Sequence, residues 1–191
     1  MLVLASRSPR RQALLRAAGI ECGVAAPLVE DAAPARVRGS YAAFAKRSAL
    51  EKARSIGAQD GLVIGADTIV VCGGEVLGKP RDARDARRML RLLSGRWHRV
   101  YTGVALVQGQ RRLVDYESTE VAFRALSKRE IDRYVATGEP LDKAGAYAIQ
   151  GEGAALIRTV RGCYTNVIGL PLPRLIEMLL RFGVAMRPRR A

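Results

Sequence analysis

The chain has 191 residues, a formal net charge of +14 and 49% hydrophobic residues. This composition argues against disorder, and the absence of any uninterrupted membrane-length apolar run or secretory signal leads us to expect a cytoplasmic protein with one ample core. The positive charge is spread along the chain and predicts an anionic partner, for which nucleic acid, polyphosphate and nucleotides all remain candidates.

The first half of the chain alternates between strand-like and helix-like segments. Proline is tolerated in the first turn of a helix, and glycine favours a helix end, so Pro9 and Gly19 bracket the first helix. The predicted elements are, in order, a strand at Leu2–Ala5, a helix from Pro9 to Ala18, a strand at 22–25, a loop at 27–40 and a helix capped by Ser40 and ended by Gly57.

The second half adds a hairpin and further helices. The apolar strand at 62–72 contains Gly65 and Asp67, and we predict a break there because both residues are disfavoured in strands. The remaining predictions are a return strand at 75–77, a helix capped by Asp82, a hairpin turning at 109–110, a helix capped by Ser127, strands within 146–151 and 154–162, and a helix at Leu172–Phe182.

These elements predict an α/β fold with a partly antiparallel sheet. No internal repeat, low-complexity segment or linker divides the chain, so residues 1–191 are predicted to form a single domain, with two lobes around a cleft.

Several standard kinds of site are excluded. His98 is the only histidine, which rules out multi-histidine metal sites, and no GxSxG motif accompanies it. Residues 73–80 begin like a P-loop, but Pro80 replaces the required hydroxyl residue and no helix can begin at Lys79. The cysteines are three in number and far apart, so we interpret them as small core residues.

The turn between the first strand and the first helix combines hydroxyl and guanidinium groups. Free backbone N–H groups at a helix N-terminus attract anions, and Ser6, Arg10 and Arg11 would add donors suited to phosphate. The local sequence leaves two interpretations open: an anion site, or a capped helix with solvated arginines.

Asp67 lies within an apolar strand, where a carboxylate is unfavourable. We therefore expect the carboxylate either to be paired with another group or to take part in the function. A carboxylate at this position could bind a divalent cation or activate water. Together with the arginines and with Lys52, Lys79 and Lys143, it is coherent with metal-assisted hydrolysis of a phosphoanhydride.

The sequence resembles the Maf family of nucleoside triphosphate pyrophosphatases, also called septum-formation inhibitor proteins. The resemblance covers nearly the whole chain and is specific because its blocks occur in order. These blocks are LASRSPRR, EKA, GADTIV, GKP, SGRWHRVYTGV, DKAGAYAIQG and VIGLPL.

The resemblance implies an elongated mixed sheet flanked by helices, a cleft between two lobes, and a homodimer with a role in cell division. It also implies hydrolysis of a nucleoside triphosphate to the monophosphate and pyrophosphate with Mg²⁺ or Mn²⁺. Asp67 matches the family's proton acceptor. The matching phosphate-contacting positions are Ser6, Arg10, Arg11, Lys52 and Lys79.

The resemblance further points to the branch that acts on dTTP and UTP. Arg10, Thr68 and Gln150 match positions linked to base selection in that branch. A uracil or thymine edge presents an N3–H donor between two carbonyl acceptors, and the amide of Gln150 could pair with it. Modified pyrimidine nucleotides are included as candidate substrates.

Two residues depart from the family pattern. Asp31 stands where the family usually has glutamate, so the metal site is predicted to use Asp31 and Asp67, with Glu30 as the alternative to Asp31. Ala148 replaces a common glycine and would be strained if its backbone needed a positive φ.

The rival function is a non-catalytic module that binds nucleotides or nucleic acid and regulates cell division. Aromatic residues make up only 5% of the chain, too few for a base-stacking surface. The presence of Asp67 also favours an enzyme, since a binding module would not need it.

Overall fold

A computed structural model describes residues 1–29, 37, 39–57 and 61–185. The strands are β1 Leu2–Ala5, β2 Gly23–Ala25, β3 Leu62–Cys72, β4 Glu75–Leu77, β5 Trp97–Gln108, β6 Arg111–Phe123 and β7 Ile157–Arg161. The sheet order is β2-β1-β3-β5-β6-β7, with β4 paired to β3. The α-helices are α1 Pro9–Ala17, α2 Tyr41–Arg54, α3 Ala83–Leu93, α4 Lys128–Ala136, α5 Tyr164–Ile168 and α6 Leu172–Phe182, and short 3-10 turns occupy Glu139–Asp142, Ala144–Ala146 and Gly151–Leu156.

The predicted α/β class and mixed sheet are confirmed. β1 pairs in parallel with β2 and β3, whereas β3, β4, β5, β6 and β7 pair in antiparallel fashion. The hairpin, the helix caps at Asp82 and Ser127, and the bounds of α6 agree with the sequence predictions. No helix of the described residues has the length and apolarity needed to cross a membrane.

Two apolar clusters cover the sheet at opposite ends of β3. One contains Ile64 with the buried face of α6, and the other contains Val70 with the buried faces of α3 and α4. Asp67 and Thr68 lie between these clusters, in the middle of the strand. The apolar clusters therefore hold β3 on either side of its polar residues along the strand.

The predicted break in the strand at Gly65–Asp67 is wrong, because β3 is continuous and pairs with β5 through this stretch. Gly65 serves close packing: an added Cβ would lie 2.1 Å from the carbonyl oxygen of Ala49 on α2. Gly103 on β5 is equally crowded, with the carbonyl oxygen of Ala45 2.1 Å from an added Cβ. The two glycines let α2 lie directly on the sheet.

Two other expectations differ from the structure. Residues 146–151 form no strand; 3-10 turns and extended segments replace it, although Ile157–Arg161 is a strand as predicted. Ala148 does not carry the positive φ for which strain was considered, since Ala146 (φ 57°) is the one non-glycine residue with positive φ among those described.

His98 is a buried structural residue. Its Nε2 lies 2.8 Å from the Tyr147 hydroxyl, and its ring packs edge-on against Phe123 and Tyr147. Burial disfavours the imidazolium form and lowers the pKa of His98 to about 4. The buried, packed ring favours a structural role over that of a catalytic base for a serine, as the sequence indicated.

Replacing Gly103 with alanine should destabilise the protein by about 2–3 kcal/mol, because the methyl group would push α2 off the sheet. The measurement is the free energy of unfolding in urea. Gly23→Ala is the matched control: its nearest neighbour would be 3.9 Å away, so we expect a change within about 0.5 kcal/mol. Equal stability of the two variants would contradict the close-packing role.

His98 should make folding stability depend on pH. Its folded-state pKa of about 4 is below the ordinary 6.5, so the unfolded chain binds a proton first as pH falls. The stabilising contribution is present above pH 6.5 and is lost between pH 6.5 and 4, with about 2 kcal/mol lost from pH 7 to 5. Urea titrations at both pH values should show a smaller loss in His98→Gln than in the wild type; an equal loss would contradict this assignment.

Candidate active site

The cleft forms at an interruption along one edge of β3. β1 pairs with Leu62–Gly65 and β4 with Val70–Cys72, and both lie on the side of β3 opposite to β5. In the described part of the chain, no strand pairs with residues 66–69 on this side. The carboxyl end of β1 and the turn that follows it are therefore placed next to Asp67 and Thr68, as is usual for sites in sheets with parallel strands.

The turn between β1 and α1 is tied together by its own hydroxyl groups. The buried Ser6 hydroxyl accepts hydrogen bonds from the backbone N–H of Ser8 (3.2 Å) and from Arg11 (3.2 Å). Ser8 caps α1 by accepting from the backbone N–H of Arg11, and Pro9 occupies the first turn. This arrangement fixes the N-terminus of α1 at the cleft.

Arg11 connects three separate parts of the chain. Besides Ser6, its guanidinium donates to the carbonyl oxygen of Gly169 (2.7 Å) and to the hydroxyl of Thr68 (3.1 Å). Thr68 in turn lies 2.9 Å from the hydroxyl of Thr102 on β5. Arg11 is thus held rigidly where a bound anion would meet it.

Asp67 and Thr68 contact groups on opposite faces of the sheet, as successive strand residues do. Thr68 faces Arg11 on α1, whereas Asp67 faces α2 and accepts an ion-paired hydrogen bond through Oδ1 from Lys52. Lys52 is 3% exposed, so its aliphatic stem is packed and its ammonium is fixed. The close seating of α2 on Gly65 is what brings this ammonium to Asp67.

A second charged group bridges the cleft between α1 and the turn after α4. Arg10 donates to a carboxylate oxygen of Asp142 (2.8 Å), and Lys143 donates to the other oxygen (2.6 Å). Partial burial would raise the pKa of Asp142, but the hydrogen bonds from Lys143 and Arg10 outweigh it and hold that pKa below its ordinary value.

The cleft has a volume of about 850 Å³ and is lined by more cations than acids. Its acidic lining residues are Asp67 and Asp142. The cationic lining residues are Arg7, Arg10, Arg11, Lys52, Lys79 and Lys143. Because six cations face two acids, the described lining favours an anionic ligand of nucleotide size.

The structure brings together most of the residues singled out from the sequence. One cleft is lined by Ser6, Arg10, Arg11, Lys52, Asp67, Thr68, Lys79 and Gln150. Lys79 and Gln150 are exposed at its rim. Their individual roles toward a substrate stay predictions.

The predicted metal ligands are only partly described. Asp31 and its alternative Glu30 lie outside the described residues, although Pro27, Leu28 and Val29, which precede them, line the cleft. No group of three candidate ligands occurs among residues 1–29, 37, 39–57 and 61–185. Asp67 alone still fits Mg²⁺ or Mn²⁺, since such ions are held by one or two carboxylates together with substrate phosphates.

Sequence reasoning did not single out three residues that support the cleft. Asp142 lines the cleft and binds Arg10, whereas Glu139 and Tyr134 do not line it and bind the backbone that carries cleft residues. Arg7 also lines the cleft. The only sequence signal for Asp142 was its place beside Lys143 in the DKAGAY block.

The fold and the site together define an α/β protein with a cleft rich in cationic side chains, beside a strand edge that no described strand covers. The chain belongs to the Maf family, since the model described as "Maf-like protein" matches residues 1–182. Residues 73–80 form no P-loop, as the sequence indicated, because β4 runs through the middle of that stretch.

Named relatives match along almost the entire chain. It is 54% identical over 184 residues to the dTTP/UTP pyrophosphatase of Symbiobacterium thermophilum, covering 95% of this chain and 94% of that protein. It is 49% identical over 192 residues to the dTTP/UTP pyrophosphatase of Salmonella typhimurium, covering 99% and 96%. The solved structure of a HAM1 protein from Coxiella burnetii has a TM-score of 0.51 at 14% identity, covers 94% of this chain and 98% of that chain, and shows the fold alone.

The pair of Lys52 and Asp67 should be strongly coupled. Lys52→Met leaves a largely buried carboxylate without its cation and should cost about 3 kcal/mol in the free energy of unfolding. The double variant Lys52→Met/Asp67→Asn should be less damaged than the sum of the two single changes, by at least about 1 kcal/mol. Urea unfolding of all four proteins measures this, and strict additivity would contradict the coupling.

Proposed function

We propose that this chain hydrolyses dTTP and UTP to the nucleoside monophosphate and pyrophosphate, and that modified pyrimidine triphosphates are also substrates. The observation that carries the proposal is the carboxylate of Asp67, held by buried Lys52 in a cleft whose charged lining residues are mainly cationic. The names of relatives at about half identity over nearly the full chain support the same activity.

The reaction needs one water and no other co-reactant. The water oxygen bonds to the α-phosphorus, the α–β phosphoanhydride bond breaks, and the bridging oxygen leaves with pyrophosphate. Asp67 accepts the water proton; because Lys52 binds Oδ1, Oδ2 is the oxygen proposed to take it. Lys52 thereby holds the carboxylate in the orientation that the attack needs.

The cationic residues of the cleft would bind the triphosphate. The turn of Ser6 and Arg11 offers donors at the N-terminus of α1, and Lys79 lines the same cleft. Asp67, with Asp31 or Glu30, would hold the divalent cation. When bound, Mg²⁺ or Mn²⁺ neutralises phosphate charge.

Base selection is proposed for Arg10, Thr68 and Gln150. Gln150 is exposed at the rim, where its amide can donate to a carbonyl and accept from N3–H of uracil or thymine. The homodimer and the link to cell division that the resemblance implies, and the cytoplasmic location expected from the sequence, stay predictions.

The test is pyrophosphate release from a panel of nucleoside triphosphates with Mg²⁺ or Mn²⁺. We expect dTTP and UTP to be cleaved faster than CTP and GTP, and the folded Asp67→Asn variant to have a kcat lower by at least about 100-fold. Full activity of Asp67→Asn would contradict its role as the base. No cleavage of any triphosphate, with salt-dependent binding to DNA, would support the rival binding module instead.

A further inference from the structure

Gln150 lies on a segment that lacks regular secondary structure. Residues 147–150 connect one 3-10 turn to the next, and the side chain of Gln150 is exposed at the cleft. An amide that reads the edge of a base must be held within a fraction of an ångström, and backbone of this kind does not fix itself. Something outside the segment has to hold it.

Two side chains that do not line the cleft hold this segment at both ends. Before Gln150, the backbone N–H of Ala148 donates to the hydroxyl of Tyr134 on α4 (3.1 Å). After Gln150, the N–H of Glu152 donates to Oε2 of Glu139 (3.2 Å), and the N–H of Gly153 donates to Oε1 (3.1 Å).

The two holding side chains are themselves joined. The Tyr134 hydroxyl donates to Oε1 of Glu139 at 2.8 Å, so one carboxylate collects three donors. Partial burial would raise the pKa of Glu139, but these hydrogen bonds outweigh it and keep that pKa below its ordinary value. The ionised carboxylate is thus the form that fits this position.

Glu139 is also connected, through Lys143 and Asp142, to Arg10, which is another residue linked to base selection. Its backbone carbonyl accepts from the ammonium of Lys143 (2.6 Å), which also donates to Asp142, the partner of Arg10. The same short turn therefore supports Gln150 through a carboxylate and Arg10 through Asp142.

We propose that Glu139, acting with Tyr134, is a positioning residue that sets the pyrimidine selectivity of this cleft by fixing the backbone on both sides of Gln150. The inference rests on the proposed function for the identity of the substrate. It goes beyond that function in assigning selectivity to a carboxylate that does not line the cleft.

The test compares kinetics with UTP and CTP in the wild type, Glu139→Gln and Tyr134→Phe. Glutamine keeps the size of the side chain, but its amide NH2 is a donor and cannot accept a hydrogen bond from a backbone N–H. We expect Glu139→Gln to raise the KM for UTP roughly tenfold, to leave kcat within about threefold, and to lower the UTP-to-CTP ratio of kcat/KM roughly tenfold. Tyr134→Phe should act in the same direction.

Glu152→Gln is the matched control, since Glu152 is exposed and contributes its backbone N–H, not its carboxylate, to these contacts. It should leave KM and the UTP-to-CTP ratio unchanged. A folded Glu139→Gln with the wild-type ratio, or one in which kcat falls equally for both substrates, would overturn the proposal. If Glu139→Gln does not fold, Tyr134→Phe decides by the same criteria.

A double variant separates positioning from general damage. If Glu139 acts through Gln150, Glu139→Gln should reduce the UTP-to-CTP ratio no further once Gln150→Ala is present; a full additional loss would overturn the proposal. The affinities for UTP and CTP, measured by calorimetry without divalent metal, report the same discrimination in the absence of hydrolysis. If the wild type binds UTP selectively but cleaves no triphosphate, the proposed hydrolysis is contradicted, whereas the role of Glu139 is not. The binding selectivity of the variants then still tests Glu139.

Discussion

The close contact between α2 and the sheet is the constraint on which the site depends. The helix backbone rests on Gly65 and Gly103, where a single methyl group would overlap a helix carbonyl oxygen. Only at this distance does Lys52, packed along its stem, bring its ammonium to Asp67. A carboxylate that is unfavourable in an apolar strand becomes stable and oriented because the helix supplies its counter-charge.

The open edge of β3 determines where the cleft lies. Since β1 ends at the level of Gly65 and β4 begins to pair at Val70, no strand of the described residues covers the edge of β3 between them. The alternation of side chains then sends Asp67 toward α2 and Thr68 toward α1. One stretch of strand can thus place the acid beside one helix and the Arg11-bound hydroxyl beside another, with a shared cleft between them.

The two sides of the cleft are built differently. On the side of β1 and β3, regular elements and the partly buried contacts of Arg11 hold the groups proposed to bind phosphate. On the other side, the groups proposed to read the base lie on short turns whose positions depend on Glu139 and Tyr134. Phosphate binding needs only charge and donors, whereas discrimination between bases needs a rigid amide, which explains the additional support.

The sequence alone determined the α/β class, nearly all helices and strands, the family resemblance, and the set of residues that now line one cleft. These follow from local patterns: apolar periodicity, caps such as Asp82 and Ser127, and ordered motifs. Only the tertiary structure decided that Gly65 permits packing instead of breaking β3, that residues 146–151 form turns instead of a strand, and that Glu139 supports Gln150. The physical reason is that each of these depends on contacts between residues distant in sequence, which local propensity does not contain.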